Sequence, residues 1–224
     1  MTLIIFLVEC GLELIPKKIR THPAVRRNLS MKNYYTQLLD NALHHSAMEN
    51  LKNRRKRGRP DIIHLCLLNA LGSPLNKIGQ LKIFVHTLHD RLFEINPNIR
   101  ITKNFNRFKG LMAKLLIDNG IKVKGEYLIA PIKKSLKAKL QEFEDAHTII
   151  LSEDGQLISS YSDLYKEGTS KNYVLIIGGF QKAHFSDKIT TLTVNKISLF
   201  KKSLFAWIIV SRVIAFYEIL AGLF

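Results

Sequence analysis

The chain has 224 residues, 46% of them hydrophobic, enough to bury a proper core and to exclude wholesale disorder. Lys and Arg outnumber Asp and Glu by 34 to 18, a formal net charge of +16. That excess favours a polyanion as partner, nucleic acid first and an anionic membrane surface second, over a soluble protein that is merely basic.

The N-terminal "MTLIIFLVECGLEL" has no cation before its apolar run, and its first charge is Glu9; it reads as a buried strand and not as a signal peptide. The basic stretch that follows, 16–35, is broken by two prolines and reads as turns or short helix. Leu38, Leu39, Leu43, Ala47, Met48 and Leu51 have helical spacing and predict one helix over 36–52. The run "RRKRGRPD" (54–61) then packs five cations into six positions before the chain turns apolar. Pro60 suits the first turn of a helix, Asp61 complements that turn's positive end, and Gly72-Ser73-Pro74 stops it. Two strands, 81–88 and 91–96, are joined at His89-Asp90, and a helix runs from 105 to Gly120.

The second half alternates. "EYLIA" (126–130), "HTIILSE" (147–153) and "YVLIIGG" (173–179) read as strands. Between and after them come a helical 133–143, a short helix near 160–167 and a further segment 190–200. Strands separated by helices predict a mostly parallel sheet covered on both faces, and the lack of a linker or repeat predicts a single domain over 1–224. The last segment, 203–224, is long enough to span a bilayer, but Arg212 and Glu218 are costly in lipid. A helix buried in protein or across a subunit interface is therefore expected, with a membrane anchor as the alternative. Cys10 and Cys66 are too few for a disulfide framework, which suits a reducing, intracellular setting.

Chemical motifs are sparse. His44-His45 and the pair His86 and His89 lack the Cys or carboxylate that would complete a metal set, so no metal is expected. There is no nucleophile motif, Walker loop or GxGxxG turn. Gly178-Gly179 closes a buried strand at the carboxyl edge, where open α/β sheets bind ligands, though a plain strand-end turn gives the same pattern. Arg100, Lys103 and Arg107 recur at spacings of three and four around a helix start, either an anion-binding face or a solvated one.

Five segments taken in order carry a resemblance: "GRPDIIHLCLLNALGSPLNK", "KIFVHT", "INPNIRITKNFNRFKGLM", "IIGGF" and "KISLFKKSLFAW". Together they resemble the ribosome-biogenesis methyltransferases of the SPOUT class, the nucleolar essential protein family, over nearly the whole chain and with an archaeal-type member as the nearest kind. The resemblance implies an α/β SPOUT-like domain with a C-terminal trefoil knot, acting as a homodimer in the cytoplasm. It implies transfer of a methyl group from S-adenosyl-L-methionine to N1 of a pseudouridine in small-subunit ribosomal RNA. Other ribosome assembly factors are further partners on this view.

By the same resemblance the cofactor contacts fall at Leu151, at Gly178, Gly179 and Ala183, and at Ile197, Ser198, Leu199, Phe200, Lys201 and Lys202. The RNA contacts fall at Arg59, Arg100, Lys103 and Arg107, with Asp61 orienting Arg59 through a salt bridge. The cations at 54–57 would extend the field without reading sequence. Four positions depart from the family pattern. Gly72 stands where the family often has an Asp that could assist proton loss, which leaves the general base unassigned; Thr102-Lys103 stands for Pro-Arg; Ala183 replaces a glycine. A non-enzymatic rRNA-binding assembly factor with a vestigial pocket is the alternative.

Overall fold

The computed structural model describes residues 2–27 and 37–223. Its centre is β1, Leu3–Cys10, buried along its whole length. Leu3, Ile5 and Leu7 point into one hydrophobic cluster and Ile4, Phe6 and Val8 into another, so the strand reads as a continuous apolar run because both faces are covered. β1 pairs in parallel with β2, Leu81–Thr87, on one side and β7, Tyr173–Gly178, on the other. β6, His147–Leu157, lies beside β7, and β8, Lys196–Ser198, beside β6, again in parallel. β3 (Leu92–Ile95), β5 (Glu126–Ile132) and β4 (Ile121–Val123) extend the other edge antiparallel, completing the order β4-β5-β3-β2-β1-β7-β6-β8. The mostly parallel sheet expected from the sequence is present, with an antiparallel flank.

One face carries α3 (Pro60–Gly72), α5 (Phe105–Asp118) and α8 (Ala206–Leu220). The other carries the short α6 (Leu136–Leu140) and α7 (Asp187–Thr190) through Leu136 and Ile189. α3 begins as its sequence predicts, with Pro60 in the first turn and Asp61 beside it. The β2–β3 hairpin turns at Asp90, whose φ of 59° is the left-handed geometry that Asp tolerates.

Several expectations are corrected. The single helix over 36–52 breaks, residue 36 lying outside the described residues: α2 is only Asn41–His44, followed by a 3-10 turn, His45–Met48. Asp40 caps α2 at the Ala42 amide, and the His44 ring accepts the Asp40 N–H at 3.0 Å, which folds the turn back on itself. Leu39, Ala47, Met48 and Leu51 remain buried, with Ile15, Ile19 and Val25, so the apolar spacing is satisfied without a continuous helix. The strand β4 is absent from the sequence reading. Three residues are too few for a periodic signal, and its two-residue turn at Lys124-Gly125 supplies the positive φ angles that close a tight hairpin. β6 runs past Glu153 to Leu157, with a bulge after Leu151, and β8 pairs with it on both sides of that bulge. Gly155 lies flat against β8, where a Cβ would come within 2.6 Å of the Ile197 backbone.

The largest correction concerns the basic run. Arg54–Lys56 forms a 3-10 turn, and its cations are sorted by direction. Lys56 and Arg57 turn inward onto Glu9 and Glu13, two buried carboxylates at the end of β1 and just beyond it, at 2.7 and 2.6 Å. Arg54 and Arg55 stay exposed. Half of what reads as a solvated field is thus a pair of anchors.

Short 3-10 turns at Gln141–Phe143 and Tyr161–Asp163 replace the ends of two predicted helices. α8 starts at Ala206 and not at 203, because Phe205 is extended and Ser203-Leu204 belong to a cavity wall. Among the described residues no helix is long and apolar enough to cross a membrane. Glu218, near the end of α8, is buried and accepts the Leu75 amide at 2.8 Å, a use of its charge that a lipid setting does not offer.

Candidate functional site

The bulge of β6 and the carboxyl ends of β7 and β8 converge on a cavity of about 350 Å³, in the size range of small-molecule sites. Leu151 closes its floor from β6, Gly178 from β7, and Ile197 and Ser198 from β8. Ala183, Leu199, Phe200 and Lys202 complete the expected wall. Ser198 is buried and its hydroxyl donates to the Phe200 carbonyl at 2.7 Å, which folds the loop after β8 inward.

Two expected residues stand apart from this wall. Lys201 is exposed and does not line the cavity. Gly179 faces the core, and a Cβ there would collide with the Cys10 sulfur and lie 2.9 Å from Ile63. Its amide donates to the Val8 carbonyl at 2.8 Å. The glycine pair therefore divides its work. Gly178 borders the cavity, where a Cβ would come 2.8 Å from the Phe180 ring, and Gly179 permits close packing of α3 on the strand end.

Phe180 and Phe185, ring centroids 5.4 Å apart, wall the cavity together with Arg55, Glu153 and His184. The loop expected from Gly178 to Ala183 takes in Phe180; sequence reasoning missed the other four. Two aromatics following a Gly-Gly strand end were the only local hint. On the rim, ligand atoms of Glu153, Asp154 and His184 lie within 4.8 Å of one another, and all three residues are exposed.

The chemistry of the wall is mixed. Leu151, Ile197 and Ile209 offer an apolar side, while Lys182, Lys202 and Glu153 bring both signs of charge to the opening. The backbone amides of residues 180–185 find no acceptor among the described residues. Free amides beside an apolar floor suit an amphipathic ligand with a flat ring and polar ends. An adenosyl amino acid meets that description.

The cationic side is built on two helix starts. Arg59 precedes α3 and grips Asp61 with two hydrogen bonds, Nε to Oδ1 at 2.8 Å and Nη2 to Oδ2 at 2.6 Å. These hydrogen bonds raise the Arg59 pKa, against the effect of its partial burial. Arg100 and Lys103 lie in the loop leading to α5, and Arg107 in its first turn, where Asn104 caps the helix at the Arg107 amide. All three are exposed. The loop is tied to α3 by a 2.7 Å hydrogen bond between the His64 ring and the Thr102 carbonyl, and His64 stacks on Phe108 at 4.3 Å. Asn76 holds the other end of the loop through the Pro97 carbonyl. The beginnings of α3 and α5 are thereby brought together.

Gly72 ends the 13-residue α3 and is exposed. At 1.5 Å per residue it lies about 20 Å from Arg59 along the helix. A Cβ there would meet nothing within 4 Å, so the absence of a carboxylate is not a steric matter.

Residues 5–218 match the EMG1/NEP1 methyltransferase family. The chain belongs to that family. It is 39% identical over 212 residues to the ribosomal RNA small subunit methyltransferase Nep1 of Staphylothermus marinus, covering 94% of this chain and 92% of that one. With the Nep1 of Thermococcus kodakarensis it shares 38% identity over 223 residues, covering 98% and 99%. The fold superimposes on the crystal structure of Archaeoglobus fulgidus Nep1 bound to S-adenosylhomocysteine with a TM-score of 0.87 at 33% identity, over 99% of this chain and all of that one. EMG1/NEP1 membership thus covers both the cavity and the cationic helix starts.

Proposed function

We propose that the protein is an S-adenosylmethionine-dependent methyltransferase acting on N1 of a pseudouridine in small-subunit ribosomal RNA, working in small-subunit ribosome biogenesis in the cytoplasm. One observation carries this reading: a cavity at the β6 bulge and the carboxyl ends of β7 and β8, with free backbone amides, in a chain of the EMG1/NEP1 family. When bound, the cofactor supplies a methyl group made electrophilic by its sulfonium. The chain's own part is to hold the reactants. Leu151, Ile197 and Leu199 exclude water from the apolar side, and the amides of 180–185 orient polar ends. Pseudouridine carries a free N1–H because its sugar is attached through carbon. A base stacked in RNA has to be turned out to reach the cavity.

Arg59, Arg100, Lys103 and Arg107 hold the RNA backbone, and Asp61 fixes the orientation of the planar Arg59 guanidinium by holding Nε and Nη2, which leaves Nη1 to meet phosphate. With no carboxylate at position 72, positioning carries most of the rate. Holding two reactants in line supplies on the order of 7 kcal/mol or more.

The protein acts as a homodimer through α8, whose outer surface leaves Phe205, Ile208 and Ile219 exposed. A face of that kind is unusual on a soluble monomer. The trefoil knot belongs to the same proposal. The one continuous sheet supports treating 1–224 as a single domain.

Incubating the protein with isotopically labelled cofactor and small-subunit rRNA bearing pseudouridine, followed by mass spectrometry of the nucleosides, tests the activity. Label on N1 of pseudouridine is the expected result. Tight RNA binding with no transfer would favour the non-enzymatic assembly factor.

A further inference from the structure

A second cavity, of about 340 Å³, adjoins the first and shares Arg55, Gln181 and Lys182 with it. Its other walls come from the 41–57 segment, with His45 and Arg54 facing in. Arg54, Arg55 and Lys182 are exposed and none has a carboxylate partner among the described residues. Among the described residues no acidic one lines this groove.

Two exposed arginines on a loop are ordinarily a solvated surface. Here their backbone is held from beneath. Lys56 and Arg57 turn inward to Glu9 and Glu13, and the Lys56 carbonyl packs so tightly on Gly11 that a Cβ there would overlap it. Lys56 also lies over the Phe180 ring, 4.9 Å from its centroid, which ties the turn to the cavity wall. The outward pair is thus presented from a rigid mount beside the cavity mouth, so little freedom is lost when an anion binds.

A nucleotide turned out of an RNA strand brings its base into a pocket while the phosphates on either side stay outside it. Resting on the function proposed above, we infer that Arg54, Arg55 and Lys182 form the seat for the phosphates flanking the extruded pseudouridine. The seat reads charge and not sequence. It is separate from the Arg59 face, since Arg59, Arg100, Lys103 and Arg107 line neither cavity.

The test uses the full-length protein and a small-subunit rRNA hairpin containing the target pseudouridine. Filter binding across a salt series compares wild type with Arg54→Gln and with Arg54→Gln/Lys182→Gln. Each charge removed lowers the salt slope by roughly one unit. A second arm replaces the phosphate on either side of the target with a neutral methylphosphonate, and a third places that change far from it. The flanking replacement weakens wild type about tenfold, and it weakens the double variant by clearly less because two of the three partners are already gone. The distant replacement affects both proteins alike. Additive losses, or an unchanged slope in the double variant, overturn the seat while leaving the Arg59 face standing. A wild-type protein that does not bind the hairpin overturns the function and the seat together.

Discussion

Arg57 and Glu13 form a two-pronged ion pair, Nε to Oε1 at 2.7 Å and Nη2 to Oε2 at 2.6 Å, with both side chains largely withdrawn from solvent. The His89 ring reaches the same carboxylate at 3.1 Å. Glu13→Ala leaves the guanidinium withdrawn from solvent without its counter-charge, only the Lys52 carbonyl still accepting from it, and the expected loss is about 3–5 kcal/mol of unfolding free energy. Removing both partners, as Glu13→Met with Arg57→Met, costs less than the single change. Urea denaturation measures both, and a double variant as unstable as the sum of the singles would show that the pair does not act as a unit.

Gly178→Val and Gly179→Val are expected to fail in different ways. At 178 the new side chain pushes the Phe180 ring and reshapes the cavity, so calorimetry finds little S-adenosylmethionine binding in a folded protein. At 179 it drives into Cys10 and Ile63, and the loss is of stability, about 1–3 kcal/mol or more. Equal cofactor binding by wild type and Gly178→Val would displace the site from this strand end.

Asp61→Gly separates orientation from charge. It makes the surface more basic, so simple electrostatics expects tighter RNA binding. Loss of the two hydrogen bonds to Arg59 predicts weaker binding. Arg59→Ala is expected to cost about 1–3 kcal/mol. Filter binding of an rRNA hairpin decides, and a folded Asp61→Gly protein that binds as well as wild type removes the organising role.

Burial lowers the pKa of both His44 and His86, more than Asp40 and Asp90 raise them. Their rings accept the backbone amides of Asp40 and Glu9, a bond that the neutral form makes. The native state therefore binds fewer protons than the unfolded chain between the lowered folded values and the ordinary imidazole value near 6.5. Stability rises with pH across that window and is lost as the solution is acidified from about 7 towards 5. Thermal melts at stepped pH should show the fall, with a shallower slope for His86→Gln.

Light scattering in detergent-free buffer is expected to give about twice the chain mass of 25.7 kDa. Ile208→Glu, on the exposed side of α8, should shift the population towards monomer. A wild-type monomer would remove the proposed interface.

The signals that held are those carried within a dozen residues. An unbroken apolar run made β1 a strand covered on both faces, Pro60-Asp61 marked the start of α3, and "YVLIIGG" placed a glycine pair at a strand's carboxyl end. Resemblance of spaced segments added the family and several of the cavity residues. What local pattern could not carry was which strand end meets which. Leu151, Gly178 and Ile197 converge because β8 returns across the chain to pair with β6, a contact decided by closure of the whole sheet. The same holds for direction: 54–57 reads as one block of charge, yet two of its members turn inward because Glu9 and Glu13 are buried at the end of β1 and need partners. Glycine identity likewise says that a Cβ is absent. Only the neighbours, Phe180 for Gly178 and Cys10 for Gly179, decide whether that absence shapes a cavity or lets two elements pack.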